Sequence, residues 1–198
     1  MHPMEYLRHV AGARGADARD LVHESAWALG AMATDPQALV LIVRRLVDKH
    51  PTCAPLWWLG AHTLTSLDPA VHVRAVMDDY ADDPTESYVI DFLARADDHV
   101  VVVEALGCGT CDGLTEVMVA EDDVREIEHA VVVVRRGTVL PRDLWAEMKR
   151  RSAGERVAVV ALSKFDTVVG PFGVVAANSA QLVPECEPCP EMLVASGL

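Results

Sequence analysis

The feature that most constrains this chain is a set of short valine-rich runs confined to its second half. HVVVVEAL (99 to 106), HAVVVV (129 to 134) and RVAVVAL (156 to 162) are each bounded by polar residues. Consecutive β-branched side chains favour strands, and strands apolar on both faces belong to a parallel sheet covered on two sides. The stretches 122 to 128 and 141 to 151 read as helices, the kind of connection that parallel strands need. LTEVMVA (114 to 120) predicts a fourth, weaker strand. The second half is therefore expected to be a small, Rossmann-like α/β domain with a mainly parallel sheet.

The first half has a different texture. Asp17 is placed to cap a helix whose apolar positions Leu21, Val22, Trp27, Leu29 and Met32 recur at helical spacing. Thr34-Asp35-Pro36 ends that helix and starts another, in which Leu39, Val40, Val43, Leu46 and Val47 form one stripe. His50-Pro51-Thr52 stops it. A third helix carries Trp57, Trp58, Leu59 and Leu64, and Asp68-Pro69 opens a fourth, running to about Tyr80. Asp82-Asp83-Pro84 is the expected boundary, giving a helical domain over 1–84 and a truncated Rossmann-like domain over 85–198.

Composition narrows the partners. Lys and Arg number 17 against 30 Asp and Glu, a formal charge of −13, so nucleic acid would meet repulsion over most of the surface. The one dense basic run, Lys149-Arg150-Arg151, falls where a helix C-terminus is expected and complements its dipole. No stretch approaches the roughly 18 apolar residues of a membrane helix. The opening MHPMEYLRHVAGARGAD lacks the apolar core of a secretory signal, so a cytoplasmic location is expected.

ALGCGTCDG (105 to 113) concentrates the candidate chemistry. Gly107 and Gly109 after a strand invite comparison with a dinucleotide loop, but Asp112-Gly113 before LTEVMV is instead a hairpin signal. Cys108 and Cys111, with Cys186 and Cys189 in PECEPCP, have the spacing of two zinc-ligand pairs; free thiols in loops are the alternative. Ser163-Lys164-Phe165-Asp166 follows a strand at the end where open parallel sheets place ligands.

Several short motifs resemble those of a known superfamily. HPTCAP before LWWLGAHTL resembles the Arg-Pro-Thr-Ala-Val-Asn-Leu helix start of methylthioribose-1-phosphate isomerases, and Arg14-Gly15-Ala16 resembles their Arg-Gly-Ala element. VVVEALGCGTCDG stands in the place of the strand and loop that hold their catalytic aspartate. The superfamily includes ribose-1,5-bisphosphate isomerase and the alpha, beta and delta subunits of translation initiation factor 2B. Val103 to Leu106, Val139 to Trp145 and Val168 to Pro171 are similar to segments of its short bacterial members.

The resemblance implies a helical domain followed by a Rossmann-like one. It also implies a pocket for a sugar phosphate or a nucleotide phosphate at Arg14, Gly15 and His50. The departures from the family pattern argue against its isomerase activity. The catalytic aspartate falls on Leu106, the cysteine has no counterpart, the arginine of the helix start is His50 and its asparagine is Pro55. A leucine carries no proton. The expectation is a non-catalytic binding or regulatory protein acting as a homodimer or as a subunit of a larger assembly, with Trp57, Trp58 and Trp145 as partner anchors. An isomerase with acid-base residues moved to Glu104, Asp112 or Asp166 is the alternative, and a zinc-stabilised interaction module is a third.

Overall fold

The computed structural model describes residues 17–96, 100–127 and 130–193. Among the described residues, five α-helices come first: α1 (Ala18–Ala31), α2 (Pro36–Lys49), α3 (Ala54–Thr65), α4 (Pro69–Ala81) and α5 (Thr85–Leu93). Aspartates start most of them. Asp17 accepts from the Arg19 N–H at 2.7 Å, Asp35 from Ala38 at 3.0 Å and Asp68 from Val71 at 3.2 Å, the last two just before a proline at the first helical position. Asp83 lies just before α5 and takes the Thr85 N–H at 2.9 Å and its hydroxyl at 2.5 Å. α3 is buried nearly all round and contacts α1, α2 and α4, so it is the centre of the helical half.

Seven strands follow in two sheets, with α6 (Arg142–Arg151) inserted between the fourth and fifth. One sheet has the order β1 (Val102–Glu104), β4 (Val131–Val133), β6 (Thr167–Gly170), β7 (Gly173–Ala176). Its first three strands are parallel and β7 returns as a hairpin. The other sheet is antiparallel, in the order β2 (Gly107–Cys111), β3 (Leu114–Ala120), β5 (Val157–Ala161). The molecule is thus mixed α/β, with one mainly parallel sheet.

Three sequence expectations change here. The run 156 to 162 does form a strand, but it pairs with β3 in the antiparallel sheet. The glycine-rich segment is itself a strand, and Asp112-Gly113, both with positive φ (51° and 81°), closes the expected hairpin. The stretch from 122 becomes a six-residue 3₁₀ helix, Glu121–Glu126.

Two apolar cores result. In the first, the helices pack on Met118 of β3, on Leu140, Leu144, Trp145 and Met148, and on Cys189 and Met192 of the tail. This core runs across the expected boundary at residue 84. The second lies between the two sheets and is built mainly of valines, among them Val103, Val117, Val132 and Val168. Trp57, Trp58 and Trp145 are all buried in the first core, so they serve the chain's own packing and offer nothing to a partner. Trp27 is the exposed tryptophan, 58% accessible on the outer side of α1. No helix among the described residues is long and apolar enough to cross a membrane.

Candidate ligand-binding site

The chain changes sheets between Glu104 and Gly107, and this corner forms one wall of a cavity of about 640 Å³. Ala105 N–H still bonds Val133 in the parallel sheet at 2.9 Å, whereas Leu106 N–H bonds Met118 in the antiparallel sheet at 2.8 Å. The Leu106 carbonyl accepts the first N–H of α3, from Ala54, at 3.1 Å. The cavity opens at the carboxyl ends of β1 and β4, where parallel sheets place ligands because the strands end there and the chain diverges. Its volume lies within the ~300–1,000 Å³ of small-molecule sites.

The helical half supplies the other walls. Asp17 and Arg19 at the start of α1, Cys53 and Pro55 at the start of α3, and Asp83 and Glu86 at the start of α5 all line the cavity. Four carboxylates face two guanidiniums, a formal excess of two negative charges when His50 is left out. The three helix N-termini, each worth about half a positive charge, offset most of it. The carboxylates are also committed to partners. Asp17 caps α1, and Asp83 accepts the Thr85 N–H at the start of α5 and the Arg136 N–H at 2.8 Å. Glu86 and Glu104 both hold Arg135, the former at 2.8 Å. Arg19 makes no ion pair among the described residues, so the charge free to meet a ligand is positive.

Protonation follows from burial. Desolvation raises the Glu104 carboxyl above its usual value, against the opposing pull of Arg135. Burial pushes the Cys53 thiol up to about 12, and it also raises Tyr80. Both groups stay protonated near neutral pH. Tyr80 is therefore a hydrogen-bond donor at the cavity wall, its ring set 5.6 Å from that of Trp58.

Of the residues expected to carry function, His50 and Glu104 meet in this cavity. Arg14 and Gly15 lie outside the described residues. Asp112 is at the exposed β2–β3 turn, 3.1 Å from Arg142. Asp166 immediately precedes β6, at the amino end of the parallel strands and thus opposite the cavity.

Cys108 and Cys111 lie three positions apart on one strand, so their side chains leave opposite faces of the sheet. Cys108 is in the inter-sheet core, and Cys111 packs against the helical core, as do Cys186 and Cys189. Burial raises Cys108, and pushes Cys186 up to about 12 and Cys189 up to about 11, so these remain thiols near neutral pH. No group of three or more His, Cys, Asp or Glu is gathered at metal-binding distance among the described residues.

Arg19, Tyr80, Glu86 and Arg135 were not singled out from the sequence. Arg135 had a signal: it directly follows a valine run and so belongs at a strand's carboxyl end. Arg19 and Tyr80 had none, because only the packing of α1 against α4 brings those two helix positions together. Comparison of the chain with models of known protein families, with curated proteins and with solved structures finds no match.

Proposed function

We propose that this chain is a non-catalytic binding or regulatory protein whose cavity takes a small phosphorylated metabolite, with a sugar phosphate as the leading class. The observation that carries this reading is the commitment of every lining carboxylate among the described residues, which leaves Arg19 to face an anion. The resemblance to the initiation-factor-2B and sugar-phosphate-isomerase superfamily supports the same ligand class, and a Rossmann-like reading of β1, β4 and β6 is consistent with it. Leu106 lies in the cavity wall where those isomerases keep an aspartate, which favours binding without turnover. A cytoplasmic location and a homo-oligomeric state, or a place in a larger assembly, belong to this proposal.

Thermal unfolding with and without ribose 5-phosphate tests it. At a ligand concentration 100 times Kd, the chain gains about 2.7 kcal/mol. Arg19→Ala, on an exposed position, leaves the unliganded midpoint unchanged and removes the gain. Absence of a shift with any phosphorylated sugar overturns the reading. Glu104 favours the isomerase alternative, since its raised pKa and its place in the cavity suit a general acid. Ribose-phosphate turnover that disappears in Glu104→Gln would replace the binding reading with that one.

A further inference from the structure

The antiparallel sheet ends on β5, and the outer edge of that strand is open. β5 pairs with β3 on one side and is the last strand in the order β2-β3-β5. The opposite end of the sheet is closed. Along the outer side of β2, the Cys108 N–H bonds the Thr138 carbonyl at 2.9 Å, and the Cys108 carbonyl takes the Leu140 N–H at 2.9 Å. β5 reads VAVVA, with no charge, proline or glycine to discourage pairing, and Val159 at its centre is 40% exposed.

Backbone groups point alternately to the two sides of a strand, so those of β5 can be assigned. The Arg156 carbonyl accepts from Glu121, next to β3, at 3.1 Å. The Met118 carbonyl, on the residue opposite Val159, turns away from β5 and accepts from Leu106 at 2.8 Å. Ala158 and Val160 therefore bond β3, while Val157, Val159 and Ala161 present their backbone to the open edge. Two groups there are already satisfied. The Val157 N–H donates to the Glu155 carbonyl at 2.9 Å, and the Ala161 carbonyl accepts the first N–H of the 3₁₀ turn Leu162–Lys164. Both groups of Val159, the Val157 carbonyl and the Ala161 N–H have no hydrogen-bond partner among the described residues.

We infer that this edge joins two copies of the chain, β5 pairing with β5 antiparallel about a two-fold axis at Val159. In that register Val159 lies opposite itself and Val157 opposite Ala161. The free groups then meet as four hydrogen bonds between the copies: two between the Val159 residues, and one from each Ala161 N–H to a Val157 carbonyl. The two satisfied groups fall opposite each other and lose nothing. A shift of the axis to Ala158 or Val160 sets a satisfied group against a free one. The match is of the strand with itself, which makes a second copy its occupant rather than an unrelated strand. The contact is also uncharged, in a chain whose −13 repels its copy elsewhere, and the flanking Arg156 is held by Asp122 at 2.9 Å. The inference rests on the homo-oligomeric part of the reading above and on nothing about its ligand. It uses the antiparallel sheet, which the superfamily resemblance does not imply.

Sedimentation velocity without ligand tests it. The interface is small, so the wild type is expected to be a dimer that dissociates on dilution. Val159→Pro removes both donors at the axis from a position whose N–H β3 does not use, and Val159→Lys sets two ammonium groups opposite each other. Each is expected to weaken the dimer at least about tenfold, with the wild-type circular dichroism kept. Mild oxidation reads the register directly. Val159→Cys cross-links the two copies above the wild-type background, since paired Cα atoms lie about 5.5 Å apart, and Ala158→Cys, set off from its own copy along the strand, does not. Three results overturn the inference and leave the phosphate cavity standing: a wild type that stays monomeric, as it would with the edge covered by other residues of its own chain; a dimer that both substitutions leave intact; or equal cross-linking at the two positions. Failure to bind phosphorylated sugars, conversely, leaves the dimer standing.

Discussion

Gly109 shows what a glycine in this chain is for. A Cβ there would lie 2.3 to 2.7 Å from three atoms of Trp145, a fully buried ring on α6, so the helix is seated directly on the β2 backbone. Gly107 is similar but softer, since the nearest atom is the terminal methyl carbon of Met148 at 2.8 Å. Gly109→Ala should cost about 1–3 kcal/mol and Gly107→Ala less, because a methionine end moves aside more easily than an indole. Urea unfolding of the two variants checks the order. The glycine spacing in the sequence resembled a phosphate loop, and only the place of α6 shows that packing requires it. Asp112-Gly113, by contrast, was legible, because a turn with two positive φ values is a local property of its own two residues.

Among the elements, the link from the tail to α3 and α4 is held by imidazoles. A carbonyl only accepts, so His62 donates Nε2–H to Glu185, and its Nδ1 then accepts Nε2–H from His72 at 3.1 Å. Burial chiefly, with His72 adding to it, holds the His62 pKa below 6.5, while the Glu185 carbonyl and Asp79 pull the other way. In the unfolded chain His62 takes up a proton near 6.5, so the native state loses stability as pH falls below that value. The unfolding midpoint of the wild type should drop between about pH 6.5 and pH 5, and His62→Gln should flatten that drop. Differential scanning calorimetry across the interval measures it, and equal slopes in the two proteins would remove His62 from the account. Helix starts were readable from Asp-Pro and Asp-x-x patterns, and strands from valine runs. Strand partners were not, because β5 reads the same whether it joins a parallel or an antiparallel sheet.

At the scale of the whole molecule, the end of the chain closes a core begun by its first helices. Met192 and Cys189 are fully buried among α2, α3 and α6, the Arg151 guanidinium donates to the Met192 carbonyl at 2.8 Å, and Arg44 donates to the Glu191 carbonyl at 2.6 Å. Met192→Ala should therefore cost about 2–5 kcal/mol in the helical core, although it lies far from those helices in sequence. Chemical denaturation followed by tryptophan fluorescence reads this, since Trp57 and Trp145 share that core. Part of the cavity chemistry was visible in the sequence, through His50 and Glu104. The rest depends on three helix starts converging from separate parts of the chain. Leu106 gives that convergence a practical consequence: its N–H belongs to one sheet, its carbonyl to the first turn of α3, and the residue itself lines the cavity. An occupant resting on this peptide tightens a joint between three parts of the molecule. Slower deuterium uptake at the Leu106 and Ala54 amides would then act as a built-in gauge of occupancy, with no label on the ligand.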